Sequence, residues 1–200
     1  MLHSGVLLPF KVYLGGLGKW TNVTFNAFNF YAAIGLNNVS DATPLFGNFT
    51  LAMLTTVITI LLIAGILLLF FKVPKKCPWI FAFLIMETLF LFGGRMHERY
   101  QVPVLIFLLI AAVRHRSGRL FGSFVGITVI CFFNQFLLFD YICTFQKTAW
   151  APYYDNMAVI ISVINLIVFC LTFVFCYQIL KIPAKASDVI TEAKSNAVSE

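Results

Sequence analysis

Residues 79–113 read WIFAFLIMETLFLFGGRMHERYQVPVLIFLLIAAV, with two apolar runs on either side of a short polar segment. The apolar runs are Trp79–Phe92 and Val102–Val113. The polar segment holds four ionisable side chains within five residues, namely Arg95, His97, Glu98 and Arg99. A dense charge cluster between two such runs is typical of a chain that leaves a membrane and re-enters it. This stretch therefore predicts a helical membrane protein with the cluster at one membrane face.

The composition of the whole chain agrees with this prediction. Of 200 residues, 60% are hydrophobic and 11% are charged, and the mean hydropathy is +0.92. In soluble domains about a quarter of the residues are charged, so the composition excludes an ordinary soluble protein. We interpret the net charge of +6 as a signal of membrane topology, and we expect no nucleic-acid partner.

The apolar runs predict an all-α, multi-pass bundle of about five membrane spans. The transmembrane region covers residues 49–180, between an external region at 1–48 and a disordered cytoplasmic tail at 181–200. The third run is short enough to be re-entrant, and extending it over residues 100–116 gives a crossing with snorkelling ends. The five predicted spans are Phe49–Phe71, Trp79–Gly94, Val102–Val113, Leu120–Ile142 and Met157–Leu180.

The distribution of Lys and Arg predicts the orientation of these spans. With five crossings, nine of the 14 basic residues fall on one side and five on the other. The positive-inside rule places the richer side in the cytoplasm. We therefore predict a cell-membrane protein whose N-terminus and charge cluster are outside and whose C-terminus is cytoplasmic. If the third run were re-entrant, the charge asymmetry would fail.

The external region contains a segment with helical periodicity. Between Trp20 and Leu36, the residues Asn22, Asn26 and Asn29 recur at i, i+4 and i+7, which predicts an amphipathic helix with an asparagine face. One interpretation is a helix at the membrane interface whose amides line a wet cavity. The alternative is a surface helix with solvated asparagines.

The charge cluster is the strongest candidate binding site. Two guanidinium groups and an imidazole near a membrane surface suit a phosphate or pyrophosphate head group, because arginine presents planar, bidentate donors. A lipid phosphate lies at this depth of the membrane. The alternative is structural: Arg95 and Arg99 anchor two helix ends, and Glu98 pairs locally.

Glu87 lies well inside a predicted span, whereas Asp140 is expected at the outer interface, near the end of its span. Ionisable groups at that depth are costly and indicate function by default, so Glu87 is a candidate for a polar cavity. The alternative is a protonated glutamate that is hydrogen-bonded within the protein. Asn134 and Gln135 are predicted to connect helices.

No motif predicts a cofactor or a metal ion. The five cysteines have no CxxC spacing, which zinc and redox sites commonly use. No P-loop, HExxH or GxSxG signature is present.

Two segments of the chain resemble a known family. Met96–Tyr100, followed by Val102-Pro103, resembles the MHERYLxP segment of bacterial integral-membrane glycosyltransferases of the GT-C superfamily. Asn26–Tyr31 resembles their NAxNxW segment, in the same order and at the same predicted face. The His-Glu-Arg tripeptide is also similar to the motif of eukaryotic dolichol-phosphate-glucose glucosyltransferases. The likeness covers roughly residues 7–113, and the later spans match only in pattern.

The resemblance implies a GT-C-like C-terminal half that binds a polyprenyl-phosphate-linked sugar. It implies that His97 and Arg99, with Arg95, contact the donor phosphate, and that Asn26 and Asn29 shape the cavity. Family members are longer and carry the catalytic acid in an upstream external loop. The chain is therefore expected to be inactive as a hexosyltransferase without a separate N-terminal half.

Two departures and two rival functions remain open. Tyr31 stands where the family has Trp, and Gln101 stands where the family has Leu. One rival is a non-enzymatic multi-pass scaffold or lipid-binding protein, in which the cluster only anchors helices. The other is half of a transporter with Glu87 as the coupling residue.

Overall fold

The computed structural model describes residues 21–140 and 151–182, and its main elements are five helices at the predicted positions. Each is an apolar run whose backbone bonds are satisfied within the helix, as a lipid environment requires. Each of the five runs predicted as membrane spans forms a helix, with boundaries shifted by up to six residues, and the number of membrane spans stays a prediction. They are α2 (Leu51–Lys72), α3 (Pro78–Phe92), α4 (Val102–Arg114), α5 (Gly118–Asp140) and α6 (Ala151–Lys181).

Three of these helices are long and apolar enough to cross a membrane. They are α2 over its full length, α5 over Gly118–Phe139 and α6 over Tyr153–Lys181. Helix α3 has 15 residues and α4 has 13, so at 1.5 Å per residue each is shorter than the roughly 30 Å hydrocarbon core. The chain therefore has the character of a membrane protein with at least three candidate spans.

The helices alternate in direction, and contacts at one end of the bundle establish this. The Lys75 N–H donates to the Leu180 carbonyl at 3.2 Å, and the Cys77 thiol lies 3.2 Å from the His115 imidazole. Arg119 donates to Gln178 at 3.1 Å. This end, here named the basic end, gathers the described cations Lys72, Lys75, Lys76, Arg114, Arg116, Arg119 and Lys181.

The predicted helix from Trp20 to Leu36 is wrong over the described residues 21–36. The chain instead forms strand β1 (Thr24–Phe25) and a four-residue helix α1 (Phe30–Ala33). Asn26 has a left-handed φ of 55°, which interrupts a helix and which Asn adopts more readily than most residues. Asn29 caps α1, because its Oδ1 accepts from the N–H groups of Tyr31 and Ala32. Trp20 lies outside the described residues.

Short strands connect the helices at the opposite end, so the prediction of an all-α fold needs correction in this detail. Strands β2 (Pro44–Phe46) and β3 (Phe49–Thr50) form an antiparallel hairpin. Strand β4 (Met96–His97) pairs in parallel with β1. Within the described residues, the structure is otherwise mostly helical.

Residues 29–31 close the C-terminal end of α3. The last carbonyls of a helix have no partner within it, and here side chains supply the partners. Asn29 Nδ2 donates to the Phe90 carbonyl at 3.4 Å, and the Tyr31 hydroxyl donates to the Phe92 carbonyl at 2.8 Å. The N-terminal segment is therefore part of the bundle and fixes the point at which the chain turns into the charge cluster.

Candidate functional site

The charge cluster lies on a tight turn directly after α3. Gly93 and Gly94 lead into β4, which is followed by a 3-10 turn over Glu98–Gln101 and then by α4. A Cβ atom on Gly94 would lie 2.7 Å from Thr55 Oγ1 of α2, so any other residue here requires the Thr55 side chain or the turn to shift. Residues 93–101, which comprise the two glycines, Arg95, β4 and the 3-10 turn, are named the motif end here.

Strand pairing directly before Asn26 brings the two segments that resemble the GT-C motifs close together. Thr24 pairs with Met96 and Phe25 pairs with His97, and the Arg95 N–H donates to the Val23 carbonyl at 2.8 Å. About 70 residues separate the partners along the chain. The backbone thus holds the asparagine-rich segment beside the His-Glu-Arg motif.

His97 is buried between aromatic rings. Its centroid lies 5.1 Å from that of Phe25 and 5.5 Å from that of Tyr100. Its Nδ1 atom lies 3.9 Å from a carboxylate oxygen of Glu98. Burial lowers the pKa of His97 and the Arg99 charge lowers it further, whereas Glu98 opposes these effects. The imidazole is therefore neutral near pH 7 and is a poor source of positive charge for a phosphate.

Arg95 forms an ion pair that holds the motif end in place. Its Nε donates to Asp41 Oδ2 at 2.7 Å, and the Asp41 side chain is 7% exposed. The backbone of Arg95 has a left-handed φ of 60°, an uncommon conformation that its neighbours must stabilise. The Arg95 side chain as a whole remains 44% exposed. Arg95 thus ties the turn to Asp41 of the N-terminal segment and keeps a partly accessible charge.

Arg99 is the most available cation of the cluster. It is exposed, and its guanidinium lies 5.9 Å from the ring centroid of Tyr100. Among the described residues, no carboxylate lies within ion-pair distance of it. A guanidinium held near an aromatic face, with its donors open to solvent, can bind an oxyanion in bidentate fashion.

Asn26 and Asn29 are committed to hydrogen bonds within the protein. Asn26 Oδ1 accepts from Asn38 Nδ2 at 3.2 Å and from Asn37 Nδ2 at 3.3 Å. Asn29 is fully buried and serves as the cap of α1 and as a partner of α3. Both residues shape the structure beside the cluster, and their role in lining a substrate cavity stays a prediction.

Two further asparagines from the long helices bind the backbone of the same segment. Asn165 of α6 donates to the Phe28 carbonyl at 3.0 Å. When its amide nitrogen faces Asn26, Asn134 of α5 donates to the Asn26 carbonyl at 2.8 Å and accepts from the Phe28 N–H at 3.0 Å. Asn134 was expected to connect helices, and it instead connects a helix to this segment. Asn165 was missed, although an amide in the middle of an apolar run is itself a signal.

Glu87 lies beneath the cluster and is fully buried in α3. Its Oε1 accepts from Gln101 Nε2 at 2.8 Å, and the same nitrogen donates to Asn165 Oδ1 at 3.2 Å. Gln101 is the last residue of the 3-10 turn. A buried chain of hydrogen bonds thus connects α3, the motif end and α6, and Gln101 was not identified from the sequence as part of it.

A thiol and an imidazole meet at the basic end. Cys77 Sγ and His115 Nε2 are 3.2 Å apart, and burial and the nearby charges of Lys75 and Arg114 lower the pKa of His115 to about 4. Over residues 21–140 and 151–182, no group of three or more His, Cys, Asp or Glu side chains could hold a metal ion. This pair supports no assignment of function.

An apolar groove of about 650 Å³ lies between α2, α3 and α6. Its walls include Leu61, Gly65, Thr88 and Phe169, and Lys72 lies at its basic end. The groove opens toward the surface that would face lipid and contains no polar cluster.

No family model, curated protein or solved structure matches this chain. Any assignment of function must therefore rest on the chemistry of the motif end. It presents an exposed guanidinium, a second partly exposed guanidinium and a buried imidazole beside the rings of Phe25 and Tyr100, at the end of an apolar bundle.

Proposed function

We propose that this chain is the donor-lipid-binding part of a membrane glycosyltransferase that uses a polyprenyl-phosphate-linked sugar. The observation that carries the proposal is the pairing of β1 with β4, because it places the Asn26–Tyr31 segment, which begins directly after β1, close to the His-Glu-Arg motif. A chance likeness in two distant segments would not require them to be neighbours in space.

In this proposal, the phosphate of the donor lipid binds at the motif end. Arg99 supplies a bidentate pair of donors, and the exposed part of Arg95 supplies a second positive charge. Both charges stabilise the lipid phosphate as it leaves the anomeric carbon of the sugar. Neutral His97 packs beneath them and orients the turn, and Glu98 contributes by holding His97.

The acceptor is activated elsewhere in this proposal. A carboxylate from an upstream N-terminal half removes the proton of the acceptor hydroxyl, which then attacks the anomeric carbon with inversion. The proposal assigns this step to neither acid near the motif end, because Asp41 is paired with Arg95 and Glu98 lies beside His97. The chain alone is accordingly expected to bind donor lipid without transferring sugar.

The proposed topology has five crossings, with the motif end on the non-cytoplasmic side. The short helices α3 and α4 then cross with the help of flanking residues and local thinning of the bilayer. The basic end supports this orientation, because all seven of its cations would be cytoplasmic under the positive-inside rule.

The experiment that tests the proposal measures binding of a polyprenyl phosphate to the chain in nanodiscs. Replacing Arg99 with Ala removes charge-assisted hydrogen bonds that contribute roughly 1.5–3 kcal/mol, which corresponds to an increase in Kd of about 10- to 100-fold. Arg114→Ala is the matched control, because Arg114 is also an exposed helix-flanking arginine but lies at the basic end. Equal binding by both variants would contradict the proposal.

A second candidate function is a structural scaffold in the membrane, and the ion pair between Arg95 and Asp41 favours it. In that case the cluster fixes the bundle and binds no ligand. Arg95→Ala would then lower thermal stability, Arg99→Ala would leave it unchanged, and neither wild type nor variant would bind polyprenyl phosphate.

A further inference from the structure

Two atoms of the Glu87–Gln101 pair are buried without hydrogen-bond partners in the described part of the chain. They are Glu87 Oε2 and Gln101 Oε1. The other two polar atoms of the same groups already bond, since Gln101 Nε2 donates to Glu87 Oε1 at 2.8 Å. Buried polar atoms are nearly always hydrogen-bonded, so these two oxygens require an explanation.

A single proton on Glu87 gives both of these oxygens a hydrogen-bond partner. A carboxylic acid and a carboxamide have complementary edges: the amide N–H donates to the acid carbonyl, and the acid O–H donates to the amide carbonyl. The first of these bonds is present. Adding a proton to Glu87 Oε2 supplies the second donor, and Gln101 Oε1 is the acceptor that lacks a partner.

The surroundings favour the neutral form of the acid. Among the described residues, no cation forms an ion pair with Glu87, and Asn165 Oδ1 turns an acceptor toward the same amide nitrogen. From α5, the Cys131 thiol lies within electrostatic reach of Glu87 and offers no positive charge. An ionised carboxylate here would be a buried charge with one neutral hydrogen bond, which is highly unfavourable.

We propose that Glu87 and Gln101 form a proton-binding site, in which Glu87 Oε2 carries a proton and donates it in a hydrogen bond to Gln101 Oε1. Gln101 ends the 3-10 turn that carries Glu98 and Arg99. The bound proton therefore clamps this turn onto α3. The existence of the site does not depend on the proposed function, whereas its importance for positioning Arg99 does.

Infrared spectroscopy of the chain in detergent or nanodiscs, without added lipid ligand, tests the site directly. The wild type is expected to show the C=O stretching band of a hydrogen-bonded carboxylic acid at neutral pH, and the band should shift in D2O. Glu87→Gln should abolish the band. Asp155→Asn, at an exposed acid of α6, should leave it intact. A wild type without the band carries an ionised Glu87, and that result would overturn the proposal.

Substitutions at the two positions distinguish a proton from a bound cation. Glu87→Gln imitates the protonated acid, so the thermal unfolding midpoint should be unchanged. Gln101→Leu removes both amide bonds and should lower the midpoint. The exchange Glu87→Gln with Gln101→Glu should restore both the midpoint and the infrared band.

A metal cation in place of the proton predicts the reverse pattern. The wild-type midpoint would then rise with added sodium or potassium, and Glu87→Gln would be destabilised and insensitive to salt. That outcome would also overturn the proposal. Because these measurements need no polyprenyl phosphate, a failure here is separable from a failure of the proposed function.

Discussion

Helices α2 and α3 follow each other in the chain and are both apolar on nearly every face, yet their surroundings differ sharply. In the most hydrophobic window of α2, only 11% of the residues are buried within the protein. The buried residues of α2 are Leu51, Thr55 and Ile66. Those of α3 are Ile80, Phe81, Phe83, Leu84, Glu87, Thr88, Phe90 and Leu91.

This difference shows that hydrophobicity does not distinguish a lipid-facing helix from one that is buried in protein. In water, the apolar stripe of an amphipathic helix packs against the protein core. A helix in lipid can be apolar on every face, so its sequence does not show which face is buried. The neighbouring helices determine instead which residues are buried in the protein. Helix α3 contacts α2, α4, α6, the 3-10 turn and α1, whereas the main helical neighbour of α2 is α3.

The largest expected effect comes from removing a buried ring of α3. Phe83 is fully buried and Leu68 of α2 is 60% exposed. Phe83→Ala leaves a cavity and should lower the free energy of unfolding by about 3 kcal/mol. Leu68→Ala should change it by less than about 0.5 kcal/mol. Reversible unfolding in mixed micelles measures both values, and similar losses would mean that α2 is buried by another chain.

Replacing one glycine after α3 and one glycine in α2 is expected to change stability by an intermediate amount. Gly94→Ala brings a Cβ to 2.7 Å from Thr55 Oγ1, and the resulting shift should destabilise the fold by about 1–3 kcal/mol. A methyl group added at Gly65 in α2 would meet no atom within 4 Å, so Gly65→Ala should stabilise the helix by up to about 1 kcal/mol.

Thermal unfolding of the two glycine variants is sufficient for this comparison. A stabilised Gly94→Ala variant would show that the motif end does not approach α2 closely. A destabilised Gly65→Ala variant would indicate that another chain or a lipid packs tightly at that position.

The smallest expected effect concerns the hydrogen bond that joins α2 to α3. The Thr59 hydroxyl oxygen lies 2.7 Å from the Phe92 carbonyl of α3 and 2.7 Å from the Thr55 carbonyl of its own helix, and its one proton serves one of them at a time. Thr59→Val should therefore cost about 0.5–1 kcal/mol. The loss is limited because Tyr31 also donates to that carbonyl. Thr56 is exposed and bonds only within α2, so Thr56→Val is the control and should be neutral in the same unfolding assay.

The long helices were predictable because each is a local property of the sequence. An apolar run of sufficient length forms its own backbone bonds, and basic residues bound the runs at one end. The predicted Phe49–Phe71 and the observed Leu51–Lys72 differ by two residues at the start and one at the end. Only three helices have both the length and the apolar character for a crossing among the described residues, so the number of spans stays a prediction.

The asparagine segment was not predictable from periodicity. Its spacing of i, i+4 and i+7 indicated a helix, but asparagine also bonds its own backbone and adopts left-handed conformations. Asn134 and Asn165 from distant helices then bind the backbone at Phe28. Non-local partners thus replaced the hydrogen bonds that a helix would have formed.

The candidate site was likewise predictable only in part. The sequence identified Arg95, His97, Glu98, Arg99 and Glu87 by their charge next to apolar runs. It could not show that Asp41 pairs with Arg95 or that Gln101 pairs with Glu87. Those partners lie 54 and 14 residues away along the chain.

The sequence by itself determined that this chain is a bundle of apolar helices with a charged turn at one end and most cations at the other. Only the tertiary structure decided which helix is buried, which cations are paired and which polar groups meet inside. The physical reason is that helix formation depends on neighbours along the chain, whereas burial and pairing depend on segments that fold against one another.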